Sequence, residues 1–202
     1  MKIVFIGIQG SGKGTQARIL EENYGFKLYE TGGALREIAA KDTDLGRLVK
    51  STIEAGHQVS PEIVEDILAD VVASNPDKNL ILDGFVRNQG NKDSMDKIVG
   101  DYKVVFFNLD EESAKKRLLG RMYDPQTGET FPSDVSVNPK NGNALVKRSD
   151  DEETAINQRI QLFFEKTLPI VEIYRQQGNL IEINAKGTIE EVTENIKVGL
   201  GL

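Results

Sequence analysis

Short apolar runs recur along the chain at residues 3–6, 80–82, 104–107 and 180–183, with amphipathic segments between them. Such alternation predicts βαβ units, in which parallel strands are covered on both faces by helices. Val104-Val105-Phe106-Phe107 is continuously apolar rather than alternating, the signature of a strand buried on both sides. A shorter run at Lys27-Leu28-Tyr29 supplies a fifth strand. The expected fold is α/β, a three-layer arrangement with a five-stranded parallel sheet between helices.

Helix starts are legible between these strands. Ser60-Pro61-Glu62 reads as an N-cap serine ahead of a first-turn proline and acid. Asp110-Glu111-Glu112 and Asp150-Asp151-Glu152-Glu153 load acids where a helix dipole favours them, and Gly178 stops the long helix that starts near Glu152. Residues 122–147 break the rhythm. They hold Pro125, Pro132, Pro139, two glycines and five Asn or Asp residues, a length without periodicity that marks functional or disordered segments.

At 202 residues the chain can bury one substantial core, with room for small insertions. A net charge of −7 argues against nucleic acid as a partner, although a local basic pocket for nucleotides remains compatible with it. The lack of cysteine excludes disulfides and thiolate metal sites, and the single His57, between Gly56 and Gln58, is expected in a connection. No apolar stretch reaches the length of a membrane span, so a cytoplasmic protein with no membrane partner is expected. Nothing marks an exposed apolar interface, which makes a monomer the default.

The densest chemical signal is Gly7-Ile8-Gln9-Gly10-Ser11-Gly12-Lys13-Gly14-Thr15, directly behind the first apolar run. A strand, a glycine-rich loop and a helix start together form a phosphate cradle. Backbone N–H groups curl around the anion, the helix presents its positive end, and Lys13 supplies a mobile charge. Nucleoside triphosphate binding through Gly10, Ser11, Gly12, Lys13, Gly14 and Thr15 is the expectation. The general motif places Ser or Thr directly after the lysine, as a magnesium ligand; here Gly14 takes that place and Thr15 follows.

Gly-Lys-Gly-Thr-Gln at 12–16 is similar to the loop of nucleoside monophosphate kinases of the adenylate kinase family, and further motifs follow in the family's order from Lys2 to about Ile196. Thr31-Gly32-Gly33-Ala34-Leu35-Arg36 resembles Thr-Gly-Asp-x-Leu-Arg. Leu82-Asp83-Gly84-Phe85-Val86-Arg87 resembles the Asp-Gly-Phe-Pro-Arg motif, and Lys147-Arg148-Ser149-Asp150-Asp151 the Arg-x-Asp-Asp element. The resemblance implies a P-loop NTPase fold divided into a core (1–29, 59–121, 149–202), a monophosphate-binding domain (30–58) and a lid (122–148). It further implies the Mg²⁺-dependent reaction ATP + AMP = 2 ADP.

By the same resemblance Arg36 and Arg87 hold the monophosphate's phosphate from opposite sides, a task suited to the guanidinium fork. Thr31, Ile53, Val59, Gly84 and Asn91 surround that nucleotide. Arg117 and Arg121, four apart and read as sharing a helix face, grip ATP and line the lid hinge. Arg148 and Arg159 close on the transferring group. Asp83 holds magnesium through water, with Thr15 a second candidate. Asp150 and Asp151 are expected both to cap the next helix and to pair with arginines such as Arg121. The resemblance also implies that many long lids fold around four residues spaced as two x-x pairs, often cysteines on zinc. The matching positions here are Asp124, Thr127, Asn138 and Asn141, none a soft ligand, so a hydrogen-bonded knot without zinc is expected.

Three positions depart from the family pattern. Gln9 and Val86 stand where proline is usual, and Gly33 where aspartate is. Asn91 replaces the glutamine that reads adenine and resembles the asparagine of uridylate/cytidylate kinases, whereas Thr31 and the long lid favour AMP. UMP or CMP as acceptor, and a nucleotide-binding regulator with a decayed site, remain alternatives.

Overall fold

The computed structural model describes residues 1–202. The first half runs β1 (Lys2–Gly7), α1 (Lys13–Tyr24), β2 (Phe26–Glu30), α2 (Thr31–Ala39), α3 (Asp44–Glu54), α4 (Pro61–Ala73), β3 (Asn79–Asp83) and α5 (Gln89–Ile98). The second half continues with β4 (Lys103–Asn108), α6 (Glu111–Leu119), β5 (Met122–Tyr123), β6 (Thr130–Phe131), α7 (Glu153–Leu162), α8 (Leu168–Gln176), β7 (Leu180–Asn184) and α9 (Ile189–Leu200). All five strands of the main sheet are parallel, in the order β2-β3-β1-β4-β7. No helix is long and apolar enough to cross a membrane.

The central strands β1, β3 and β4 are apolar because both their faces are covered. Ile3, Val4, Phe5, Leu80, Ile81, Leu82, Val104, Val105 and Phe107 are fully buried. They join Leu20, Leu68, Ile156 and Val171 from the covering helices in one cluster that spans the sheet. A second, smaller cluster of Leu35, Val49 and Val59 ties α2 and α3 to the start of α4. That pair of helices has its own apolar centre, outside the main core.

At the carboxyl end of β1 the chain passes very close to β4. A Cβ on Gly7 would lie 2.9 Å from the Phe107 Cβ, from the Phe107 carbonyl oxygen and from Ser11 Oγ. Glycine there lets the sheet stay closed while the chain turns into the loop. Phe107 also meets Phe5 edge to face, with ring centroids 4.9 Å apart.

Several local expectations change. Ser60 precedes α4, but its side chain makes no capping hydrogen bond; Pro61 at the first position needs no N–H partner and starts the helix instead. Asp110 does cap α6, accepting from the Ser113 N–H at 2.9 Å. Gly120 ends α6 at Leu119, so Arg121 lies beyond the helix and the i,i+4 geometry with Arg117 does not hold. The helix expected from Glu152 to Gly178 is broken by a π turn at Phe163–Thr167. Pro169, early in α8, has no N–H and its ring would crowd the carbonyl four residues back; the wider turn relieves both. That turn directs the Thr167 hydroxyl onto the Arg87 carbonyl at 2.8 Å.

Gly7→Ala is expected to force β1 and β4 apart locally and to destabilise the fold by about 1–3 kcal/mol, as overpacking does. Urea unfolding would show this as a lower midpoint with an unchanged slope.

Candidate active site

The loop after β1 is shaped by two left-handed glycines, Gly10 (φ 83°) and Gly12 (φ 89°). Gly10 packs on α6, where a Cβ would come within 2.8 Å of the Ala114 carbonyl oxygen. Gly12 is the residue before α1, so the first-turn N–H groups of that helix open toward the loop without intrahelical acceptors. Lys13 curls over the loop, its Nζ donating to the carbonyls of Gly7 (2.8 Å) and Ile8 (3.1 Å) and to Ser11 Oγ (3.3 Å). Burial brings its ammonium down to about 8; Asp83 opposes this, while Arg87 and Arg121 add to it.

Beside the loop, β2 and β3 end in carboxylates. Glu30 and Asp83 are register partners. Thr31 then opens α2, and its hydroxyl donates to the Asp83 carbonyl at 3.1 Å. Burial lifts the Asp83 carboxyl to about 6 against the pull of Lys13, and its Oδ1 is buried with no hydrogen-bond partner. An unpartnered carboxylate oxygen beside a glycine-lined loop suits a hard cation or its water shell.

The cleft over this edge has a volume of about 1170 Å³ and draws cationic groups from four directions. Arg36 comes from α2, Arg87 from the turn after β3, Arg117 from α6, and Arg121, Arg148 and Arg159 from the hinge of the 122–148 excursion and α7. Arg87 Nε is tied to the Gly84 carbonyl at 3.0 Å, and Arg117 Nη2 to the Ala185 carbonyl at 3.0 Å. Arg121 grips Asp151 with two hydrogen bonds, 2.8 and 2.6 Å. Arg148 grips Asp150, and Arg159 bridges both acids at 3.2 and 3.0 Å.

Asp150 and Asp151 therefore do not cap α7. Glu152 holds the N-cap position without a side-chain cap bond, and the two aspartates are turned toward the arginines. Burial alone would raise Asp150, but the Arg148 hydrogen bond and the charges of Arg148, Arg159 and Arg121 bring it to about 2. The pairing half of the expectation holds, and the capping half does not.

The excursion is not structureless. Its first part forms a hairpin of β5 and β6, and its two ends meet in a bridge between Tyr123 and Val146. At its centre Asp124 is fully buried and accepts from the side-chain amides of Asn138 (2.7 Å), Asn141 (3.1 Å) and Asn143 (3.2 Å). The backbone N–H groups of Gln126 and Thr127 donate to it as well. Burial works against ionisation here, yet these donors outweigh it and hold the carboxyl well below the usual range. The knot differs from expectation in membership: Asn143 joins it, and the Thr127 hydroxyl instead accepts from the Glu129 N–H. Next to it the Tyr123 ring has two guanidinium groups over it, Arg36 at 5.5 Å and Arg148 at 5.6 Å from its centroid.

Gly10, Ser11, Gly12, Lys13, Gly14 and Thr15 line the main cleft together with Ile53, Asp83, Gly84, the six arginines named above and a seventh, Arg18. Thr31, Val59 and Asn91 line a small hollow beside it, shared with Gly84 and Arg87. Asn91 Oδ1 accepts the Arg87 N–H at 3.3 Å, which leaves its buried Nδ2 without a partner. His57 is exposed at the cleft margin. Sequence reasoning passed over Glu30, Arg18 and Tyr123. Glu30 was accessible through the rule that parallel strands end at the ligand crevice; Tyr123 had no signal before the excursion folded.

The chain matches the family model described as Adenylate kinase over residues 5–179. It is 34% identical to an adenylate kinase of Kosmotoga olearia, with 97% of each chain covered. It is 31% identical to one of Salinibacter ruber, over 99% of this chain and 98% of the relative. An adenylate kinase of Hydrogenobaculum sp. is 30% identical, over 98% and 99%.

Because the Asp124 carboxyl is held low in the folded state, its stabilisation is present above the ordinary carboxylate value of about 3.9 and is lost as pH falls through the lower folded value. Asp124→Ala is expected to lower the thermal midpoint by several degrees at pH 7 and to speed amide exchange at Val146. Both differences from the parent should shrink in acid. Equal midpoints and exchange at pH 7 would count against the knot.

Proposed function

Since the chain belongs to the adenylate kinase family, and with it to the phosphotransferases that act on nucleoside monophosphates, we propose that its reaction is ATP + AMP = 2 ADP. The observation that carries this reading is the convergence of Lys13 with Arg36, Arg87, Arg117, Arg121, Arg148 and Arg159 on one cleft at the carboxyl edge of the sheet. One nucleotide alone would not use so many cations; two phosphate chains meeting end to end would.

In this reading the loop from Gly10 to Thr15 and Arg117 hold ATP, with Lys13 leaving its carbonyl partners for the β- and γ-phosphates. Arg36 and Arg87 hold the AMP phosphate, whose oxygen attacks the γ-phosphorus as the bond to the β–γ bridging oxygen breaks. No general base is needed, since the attacking oxygen is already anionic. Arg121, Arg148 and Arg159 sit where charge develops during transfer, and Asp150 and Asp151 fix their planes beforehand. Asp83, with its unpartnered oxygen, is the residue fitted to hold Mg²⁺ through water, with Thr15 as a second candidate. The ion would screen the β- and γ-oxygens.

Residues 30–58 act as the monophosphate-binding domain and 122–148 as a lid that excludes water, the competing acceptor, with the remaining segments as the core. The amide knot on Asp124 supports a lid held by hydrogen bonds rather than zinc, since amide N–H groups already occupy both carboxylate oxygens. Ile53, Thr31, Val59, Gly84 and Asn91 surround the AMP base and ribose. A monomer in the cytoplasm is the setting this reading implies.

Asn91 favours a second reading. Its one unpartnered donor, Nδ2, can meet adenine N1, but it can equally meet a pyrimidine carbonyl. ADP formation from ATP and Mg²⁺ with AMP, UMP, CMP, GMP or no acceptor separates the two. Fast turnover is expected with AMP; preference for UMP or CMP would make Asn91 the specificity residue, and no turnover with any acceptor would overturn the kinase reading.

Lys13→Met and Arg87→Ala should each cut turnover by about 10²-fold or more with circular dichroism unchanged. Lys13 stands at about 8, and polyphosphate beside it favours the ammonium form. Binding of metal-free ATP near pH 8 should therefore take up protons. Calorimetry in buffers of different ionisation enthalpy would detect that uptake, and Lys13→Met should abolish it.

A further inference from the structure

Glu30 has no role in the scheme above, yet it stands at the centre of the site. It ends β2 as Asp83 ends β3, in register. Register partners on adjacent parallel strands, about 4.8 Å apart, project from the same side of the sheet. Its two oxygens have different surroundings. Oε2 pairs with Arg18 Nη2 at 3.1 Å. Oε1 has no hydrogen-bond partner and lies 3.1 Å from where a Cβ on Gly14 would be, against the first turn of α1.

Three further observations point to a cation between these carboxylates and the loop. Asp83 Oδ1 is a buried acceptor with no donor. Lys13, which lines the same cleft as Asp83, donates all its hydrogen bonds to the loop's own oxygens. A Cβ on Gly33 would lie 3.8 Å from the Glu30 Cβ, and glycine there brings no side chain into the space. The result is two adjacent carboxylates, each with an oxygen free, over a floor of glycines. Hard divalent ions that keep several waters are held in such places, with carboxylates accepting hydrogen bonds from the water shell.

We propose that Glu30 is a positioning residue that, with Asp83, holds the hydrated divalent cation of the metal–nucleotide complex in this cleft. The inference rests on the nucleotide-binding reading above, but not on which acceptor is phosphorylated. Position 33, where the family pattern places an acid, is glycine here, and the second carboxylate comes from the preceding strand end instead. Glu30 reaches the same edge of the sheet from β2, with Arg18 on its other oxygen.

The test is Mn²⁺ affinity, read by electron paramagnetic resonance of the full-length protein with a saturating non-hydrolysable ATP analogue. Glu30→Gln is expected to weaken Mn²⁺ binding about tenfold, while affinity for the metal-free analogue stays within about twofold. Arg18→Gln breaks the same ion pair and should leave Mn²⁺ affinity within about twofold. Adding Gly33→Asp to Glu30→Gln should restore part of the loss. Unchanged Mn²⁺ affinity in Glu30→Gln would overturn the proposal. So would an equal loss in Arg18→Gln, which would make the role one of packing. If the parent protein binds Mn²⁺ and analogue in a Glu30-dependent way yet phosphorylates no acceptor, the kinase reading falls and this proposal stands.

Discussion

Like charges crowded into one cleft are the constraint to which the rest of the molecule answers. Lys13, Arg36, Arg87, Arg121, Arg148 and Arg159 all line it, and the lowered values of Lys13, Arg87 and Arg121 record burial together with mutual repulsion. Asp150 and Asp151 answer for three of these cations, Asp83 for the lysine, and the Tyr123 ring for two guanidinium faces. Buried ion pairs of this kind add little net stability, because desolvation cancels most of the attraction. Their contribution is geometric. They hold planar donors in fixed directions, while stability comes from the apolar sheet beneath.

That division explains the placement of the elements. The continuous cluster around β1, β3 and β4 reaches just past the carboxyl edge of the strands, to Ile8, Phe85, Val86 and Leu109. Of the charged groups, Arg36 rides on the separately packed helix pair, whereas Lys13, Arg117 and Arg159 stand on α1, α6 and α7, which are anchored in the main cluster. The π turn at Phe163–Thr167 links the two regimes: it buries Phe163 in the core and places Thr167 on the backbone of Arg87.

The central strands were legible from sequence because burial on both faces leaves uninterrupted apolar runs, and the edge strands β2 and β7, broken by Lys27 and Glu182, still fall at the shorter runs expected. The loop at Gly7–Thr15 was legible because its conformation demands glycine at fixed spacing. What failed was local and polar. Asp150 and Asp151 look like helix caps until Arg121, Arg148 and Arg159, distant in sequence or beyond a turn, compete for them. Arg121 looked helical because Gly120 does not announce from sequence alone that it ends α6. Asn143 and Tyr123 acquire partners only once residues 122–148 have folded back on themselves, and no periodicity encodes that.

The knot at Asp124 has a consequence on another timescale. A fold held by thiolates on a metal is vulnerable to chelators and oxidants, and one held by asparagine amides is indifferent to both. Asparagine, however, is a thermolabile residue. Hydrolysis of the Asn138, Asn141 or Asn143 amide would replace a donor with a second carboxylate facing Asp124, where attraction would become repulsion. Asn141 is followed by Gly142, which has no side chain to shield the intervening peptide. The molecule thus carries a clock in this segment, set by covalent ageing rather than by metal supply.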